Sequence, residues 1–197
     1  KSGGHPQREG RRRWVEALIT FERWDDLLDA TSSGAIDWSG EPIEQLKRAH
    51  SLGLAHASRG DFAALNEQIT ALQALLPKPE EETDTPTEQG EAAKTEPDAK
   101  TDAPKPDDDP KDEPKPEPKL PGLDDAIAEL EGYRLFISGD TDAAFERFGQ
   151  AKSMRRESLA RLLLAAGRTD EAIATAKQAV DRSPNEVAPL AAQVEIL

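Results

Sequence analysis

Gly139-Asp140-Thr141-Asp142-Ala143-Ala144-Phe145 sets a turn residue directly before a new amphipathic run. The same punctuation returns at Gly60-Asp61-Phe62-Ala63-Ala64-Leu65 and at Gly167-Arg168-Thr169-Asp170-Glu171-Ala172-Ile173. A degenerate copy, Glu22-Arg23-Trp24-Asp25-Asp26-Leu27-Leu28, stands upstream with Glu where the others have Gly. Helix, tight turn and helix, repeated, make stacked αα-hairpins, an architecture that supplies a binding surface and no chemistry of its own.

Working outward from these turns, helical spacing accounts for the flanking segments. Residues 11–30 read as two short helices through Trp14, Leu18, Phe21, Trp24, Leu27 and Leu28, at i, i+3, i+4 intervals. Glu41-Pro42 opens a helix running to about Arg59, since Pro is tolerated in a first turn. Its partner covers Asp61–Leu76 and stops at Pro77. Further helices are expected at 124–138, 141–152, 154–166 with Ser153 as cap, 169–181 and 187–197. No stretch alternates with period two long enough to be a strand, so the expected class is all-α.

Composition divides the chain more sharply than its 197-residue length. Residues 77–121 hold 11 of the 15 prolines and 15 Asp/Glu against 7 Lys, a net of -8, with Leu120 their only large aliphatic side chain. A segment this poor in apolar surface cannot offset its ordering entropy, so it is expected to be a disordered, stretched insertion. The domains are then 11–76, the 77–121 linker, and 122–197, the two helical parts packing together as one superhelix. Long insertions add little closure entropy, roughly 0.6 kcal/mol per doubling of length.

The linker supplies -8 of the formal -14, leaving about -6 for the helical parts. That balance argues against nucleic acid or anionic membrane as partner. The basic run Arg8, Arg11, Arg12, Arg13 reads as a solvated helix face. With no cysteine, disulfide, thiol and zinc-thiolate chemistry are excluded, while the compartment stays open. No apolar run approaches the roughly 20 residues that span a bilayer. A start at Lys1 and a stop at Leu197 inside a helical pattern suggest a fragment of a larger protein.

These residues resemble the tetratricopeptide repeat family. Leu52-Gly53, Ile69 and Pro77 match its large-small pair, its bulky second-helix position and its closing proline. Gly132, Leu135, Ala144, Phe148 and Ala151 match in a second unit, and Ala160, Leu163, Ala172, Ala176, Ala179 and Pro184 in a third. Leu65 and Leu72 stand where the family has small residues, and Ala176 where it has a bulky one. The 28 residues from Gly139 to Gly167, against the family's typical 34, require a short second helix or a tightened junction. The resemblance implies a solenoid with a concave face lined by first-helix residues, here Lys47, His50, Leu54, Glu129, Tyr133, Phe136, Glu157 and Arg161. A weaker resemblance is to helical regions joined to redoxin domains in large bacterial multidomain proteins.

No other constellation points to chemistry. His50 and His56, six residues apart, point roughly 240° apart on a helix and cannot share a metal as an i, i+4 pair would. There is no phosphate-cradling Gly-rich loop and no local nucleophile motif, and Asp107-Asp108-Asp109 lacks an ordered loop and a closing Glu for calcium. Trp38, in a polar loop, is the candidate exposed contact. The expectation is a non-catalytic scaffold, a monomer without cofactor or metal, that binds a protein, a peptide or a neighbouring domain of its parent chain. The alternative is an accessory region of a larger, redoxin-linked enzyme whose catalytic domain lies outside these residues.

Overall fold

Four of the turns between successive helices are made by the same backbone device. In the computed structural model, Gly139 has φ 90° and closes the helix before it with two hydrogen bonds. Its N–H donates to Phe136 O at 3.1 Å, and the next N–H, of Asp140, donates to Leu135 O at 3.0 Å. This pair satisfies carbonyls that a helix end leaves open, and it requires a left-handed residue. Gly60 and Gly167 repeat it. The fourth copy is at Glu22, φ 52°, where Glu22 N donates to Ile19 O and Arg23 N to Leu18 O. The Asp after two of the glycines then starts the next helix, Asp61 accepting from Ala64 N and Asp140 from Ala143 N.

The structure describes residues 5–77, 120–184 and 187–196, all helix or connection, with nine helices among them. These are α1 (His5–Thr20), α2 (Trp24–Ser32), α3 (Pro42–Ser58), α4 (Phe62–Gln73), α5 (Leu123–Ile137), α6 (Thr141–Gln150), α7 (Arg156–Ala165), α8 (Thr169–Arg182) and α9 (Val187–Ile196). The all-α class is as expected. The disorder expected of the linker falls on residues outside those described, apart from Pro77, Leu120 and Pro121.

The closest packing pairs α3 with α4, α5 with α6 and α7 with α8. α5 also lies on both α3 and α4, α9 lies on both α7 and α8, and α2 bridges α1 to α3. At the centre, Leu65 and Leu72 of α4 and Leu123 and Leu130 of α5 are completely buried with Leu46 and Ile69. Each such side chain contributes about 1.5–3 kcal/mol of burial. Large residues on α4 are accommodated because α3 faces them with Ala49 and Ala57. Gly53 serves the next interface along: a Cβ there would stand 2.3 Å from Leu130 Cδ1. A second core joins Val15, Leu18, Leu27, Ile36 and Ala55, and a third joins Ala160, Leu163, Ala172 and Ala176 to Ile196. There α9 brings the bulk that Ala176 lacks.

Several expectations need correction. α1 buries Val15 and Leu18, leaving Trp14 42% and Phe21 67% exposed, so neither is core. Among the described residues α2, the 36–38 loop and Ala55 of α3 share its core, and they meet α1 one residue round from the expected stripe. Ser153 caps nothing, because α7 starts at Arg156 with Arg155 at its N-cap position and no side-chain cap. Leu120, counted with the linker, packs against the central core. The 28-residue interval is absorbed by both helices it contains: α6 has 10 residues against 12 in α4 and 14 in α8, and α7 has 10 against 17 in α3 and 15 in α5.

Candidate functional site

The expected groove residues sit on α3, α5 and α7, the first helices of the three hairpins, and only some of them converge. α5 is buried round most of its circumference between Ala126 and Leu130, which takes Glu129 inside, and Gly132 lets Phe148 of α6 close in. Glu129 is buried at 5% exposure, where an unpartnered carboxylate is costly. His50 Nε2 of α3 donates to its Oε2 at 2.9 Å, joining residues 79 apart in sequence. One turn away, Tyr133 is half-buried with its ring edge-on to Phe148 at 5.2 Å. Burial first, and then the Glu129 charge, push the Tyr133 phenol above the ordinary tyrosine value.

Phe136 is committed to packing, not to the groove: it meets Phe145 edge-on at 6.1 Å, and Arg168 covers the other ring 4.6 Å from its centroid. Leu54 packs against the central core. Lys47, which pairs with Glu44 at 3.1 Å, keeps an exposed ammonium. Glu157 is buried in the first turn of α7, where a carboxylate suits the helix dipole, with Arg155 Nε at 3.7 Å.

Arg161 does not face empty space. Its Nε donates to Glu195 Oε2 at 2.8 Å, and its Nη1 pairs with Glu22 at the α1–α2 corner. Arg155 Nη2 donates to Ile19 O of the same corner at 2.8 Å. Tyr133 feels the charges of Glu22, Arg155 and Arg161, which places corner and groove side by side. Sequence reasoning missed Ile19, Glu22 and Arg155. The one available signal was Glu22 itself, standing in a turn position that is Gly in the three other copies.

Next to the corner, α1 and α3 enclose a cleft of about 340 Å³. Val15, Ile19 and Leu46 line it, with Arg11, Arg12, Lys47 and Arg155 round it beside Glu16 and Glu44, and Glu9 and Glu157 paired to Arg12 and Arg155. Trp38 is part of this cleft, half-buried, its Nε1 donating to Thr31 Oγ1 at 3.4 Å, so it offers an edge more than a free ring. Two other cavities, of about 380 and 400 Å³, have more polar walls, including Lys152, Arg156 and Arg182 in one and Glu131 and Arg147 in the other.

His56 Nδ1 is buried 3.5 Å from Asp61 Oδ2 and far in register from the His50 pair. Among the described residues no group of three His, Cys, Asp or Glu could hold a metal, and no helix is long and apolar enough to cross a membrane. The side chains of His5 and Arg8, and Asp107–Asp109, lie outside the description. Comparison of the chain with family models, curated proteins and solved structures finds no match.

Proposed function

We propose that this chain is a non-catalytic helical-repeat module of the tetratricopeptide type, a solenoid that binds a protein or peptide along the face built from α3, α5 and α7. The observation that carries this reading is the convergence of His50, Glu129, Tyr133 and Arg161, from three successive hairpins, on one side of the helical stack. Their arrangement favours recognition over reaction: the two buried carboxylates, Glu129 and Glu157, are each taken up by a basic side chain, His50 and Arg155. Aromatic edge, aliphatic floor and cationic rim together suit an extended peptide or a helix laid in a groove. The acidic remainder of the surface disfavours nucleic acid, and the module acts as a monomer.

Selection of peptides displayed on phage against the chain tests the reading, with a His50→Ala/Arg161→Ala variant as counter-target. Enriched sequences that bind the native chain and not the variant support it. Absence of enrichment, or peptides indifferent to the two substitutions, overturns it.

A further inference from the structure

Building on that reading, we infer that the α1–α2 corner is an internal occupant of the groove, and that the peptide displacing it presents a carboxylate in place of Glu22. The corner makes the contacts a bound peptide would make. A main-chain carbonyl, Ile19 O, accepts from Arg155, and an acidic side chain, Glu22, lies on Arg161. Arg155 also faces the C-terminal end of α1, where open carbonyls and the helix dipole favour a cation.

The corner holds these contacts in an unfavourable backbone state. Glu22 is the one described non-glycine residue with positive φ, whereas the equivalent turns use Gly60, Gly139 and Gly167. Glycine would make the same turn without the Cβ clash, but it would bring no carboxylate to Arg161. Such local strain persists where surrounding contacts enforce it, and it makes the corner easier to release than its neighbours. Its grip is modest as well, because the Glu22 and Arg161 side chains are 38% and 30% exposed.

The pairing of Glu22 with Arg161 defines what replaces the corner. In the adjoining cleft Arg12, Lys47 and Arg155 already hold Glu9, Glu44 and Glu157, so the carboxylate that Arg161 accepts is the charge the partner must bring. Val15, Ile19 and Leu46 provide an apolar floor beneath them. The partner is therefore a peptide with one carboxylate for Arg161, a main-chain carbonyl for Arg155 and an apolar anchor beside them, competing with residues 19–22. Because the competent state is the one with the corner released, weakening the corner raises apparent affinity by the gain in that population.

The test uses a fluorescein-labelled synthetic copy of residues 17–24, read by fluorescence anisotropy against the full chain, its Glu22→Gln variant and its Arg161→Ala variant. Glu22→Gln keeps the size and backbone demand of the corner but removes the charge, and circular dichroism checks that the variant keeps the native helix signal. The copy is expected to bind Glu22→Gln about 1.5- to 5-fold more tightly than the native chain, the range an exposed ion pair supports. It should lose affinity for Arg161→Ala, and a copy carrying Glu22→Gln should bind weakly to every form. Binding of the copy equally to the native chain and Glu22→Gln overturns the internal-occupant assignment and leaves the groove standing. Equal binding of the two peptides overturns the carboxylate requirement. No binding to Glu22→Gln at millimolar peptide removes the proposal altogether, while the phage selection still decides separately whether the groove binds peptides.

Discussion

Gly132 and Phe148 meet at a distance no other residue at 132 would allow: a Cβ on Gly132 would stand 2.5 Å from Cδ1 and Cε1 of the ring. Phe148 is 3% exposed and edge-on to both Tyr133 and Phe145, so the ring has nowhere to turn. In a solvent-facing helix Gly→Ala stabilises by about 1 kcal/mol. Here overpacking reverses the sign. Gly132→Ala should destabilise by about 1–3 kcal/mol in urea titration. Gly53→Ala should cost less, since its clash is with the methyl ends of Leu130, and a stabilised Gly132→Ala would show that α5 and α6 are not this close.

Glu22 and Arg161 allow backbone and charge to be separated. Glu22→Gly relieves the positive φ, worth roughly 1–2 kcal/mol, and gives up an exposed ion pair worth about 0.2–1 kcal/mol. The net expectation is a chain about 0.5–1 kcal/mol more stable, whereas Glu22→Gln, losing only the pair, should be slightly less stable. Thermal unfolding of both variants decides it. A destabilised Glu22→Gly would mean that the carboxylate contributes more than its exposure allows.

The corners were legible in the sequence because each depends on local residues: a Gly, or Glu22 in its place, ends one helix within four residues of where the next begins. Helix class followed from them. The burial of α1 was not legible, since Trp14, Val15, Leu18 and Phe21 give two plausible apolar stripes and only the position of α2 selects between them. The first-helix residues of the proposed groove were named through a family resemblance, not from any local pattern. His50 with Glu129, and Glu22 with Arg161, are 79 and 139 residues apart, and no local pattern encodes such pairings.

His50 and Glu129 are coupled across α3 and α5, so their substitutions should not add. His50→Ala leaves the Glu129 carboxylate buried without a donor and should cost about 1–3 kcal/mol. Replacing both by Leu removes the polar demand together with its answer and should cost less than the single change. A double-mutant cycle measured by urea unfolding reads the coupling, expected at about 0.5–3 kcal/mol. Additive effects would mean that water already serves Glu129.

Tyr133 is the single tyrosine of the chain, so absorbance at 295 nm reports its phenol alone. Burial and the nearby Glu129 charge both disfavour the phenolate, which raises the folded-state pKa above the ordinary value of about 10. The neutral form is thus favoured by folding. Its contribution is fully present below pH about 10 and declines as pH rises above that, because the unfolded chain releases the proton first. Titration of the native protein should show no tyrosinate at pH 10, while the urea-unfolded chain is about half ionised there. Removing the neighbouring carboxylate with Glu129→Gln should lower the native midpoint without returning it to the free value, since burial is the larger cause. A native midpoint already near 10 would show the phenol to be in water, and with it the groove open beside Glu22 and Arg161.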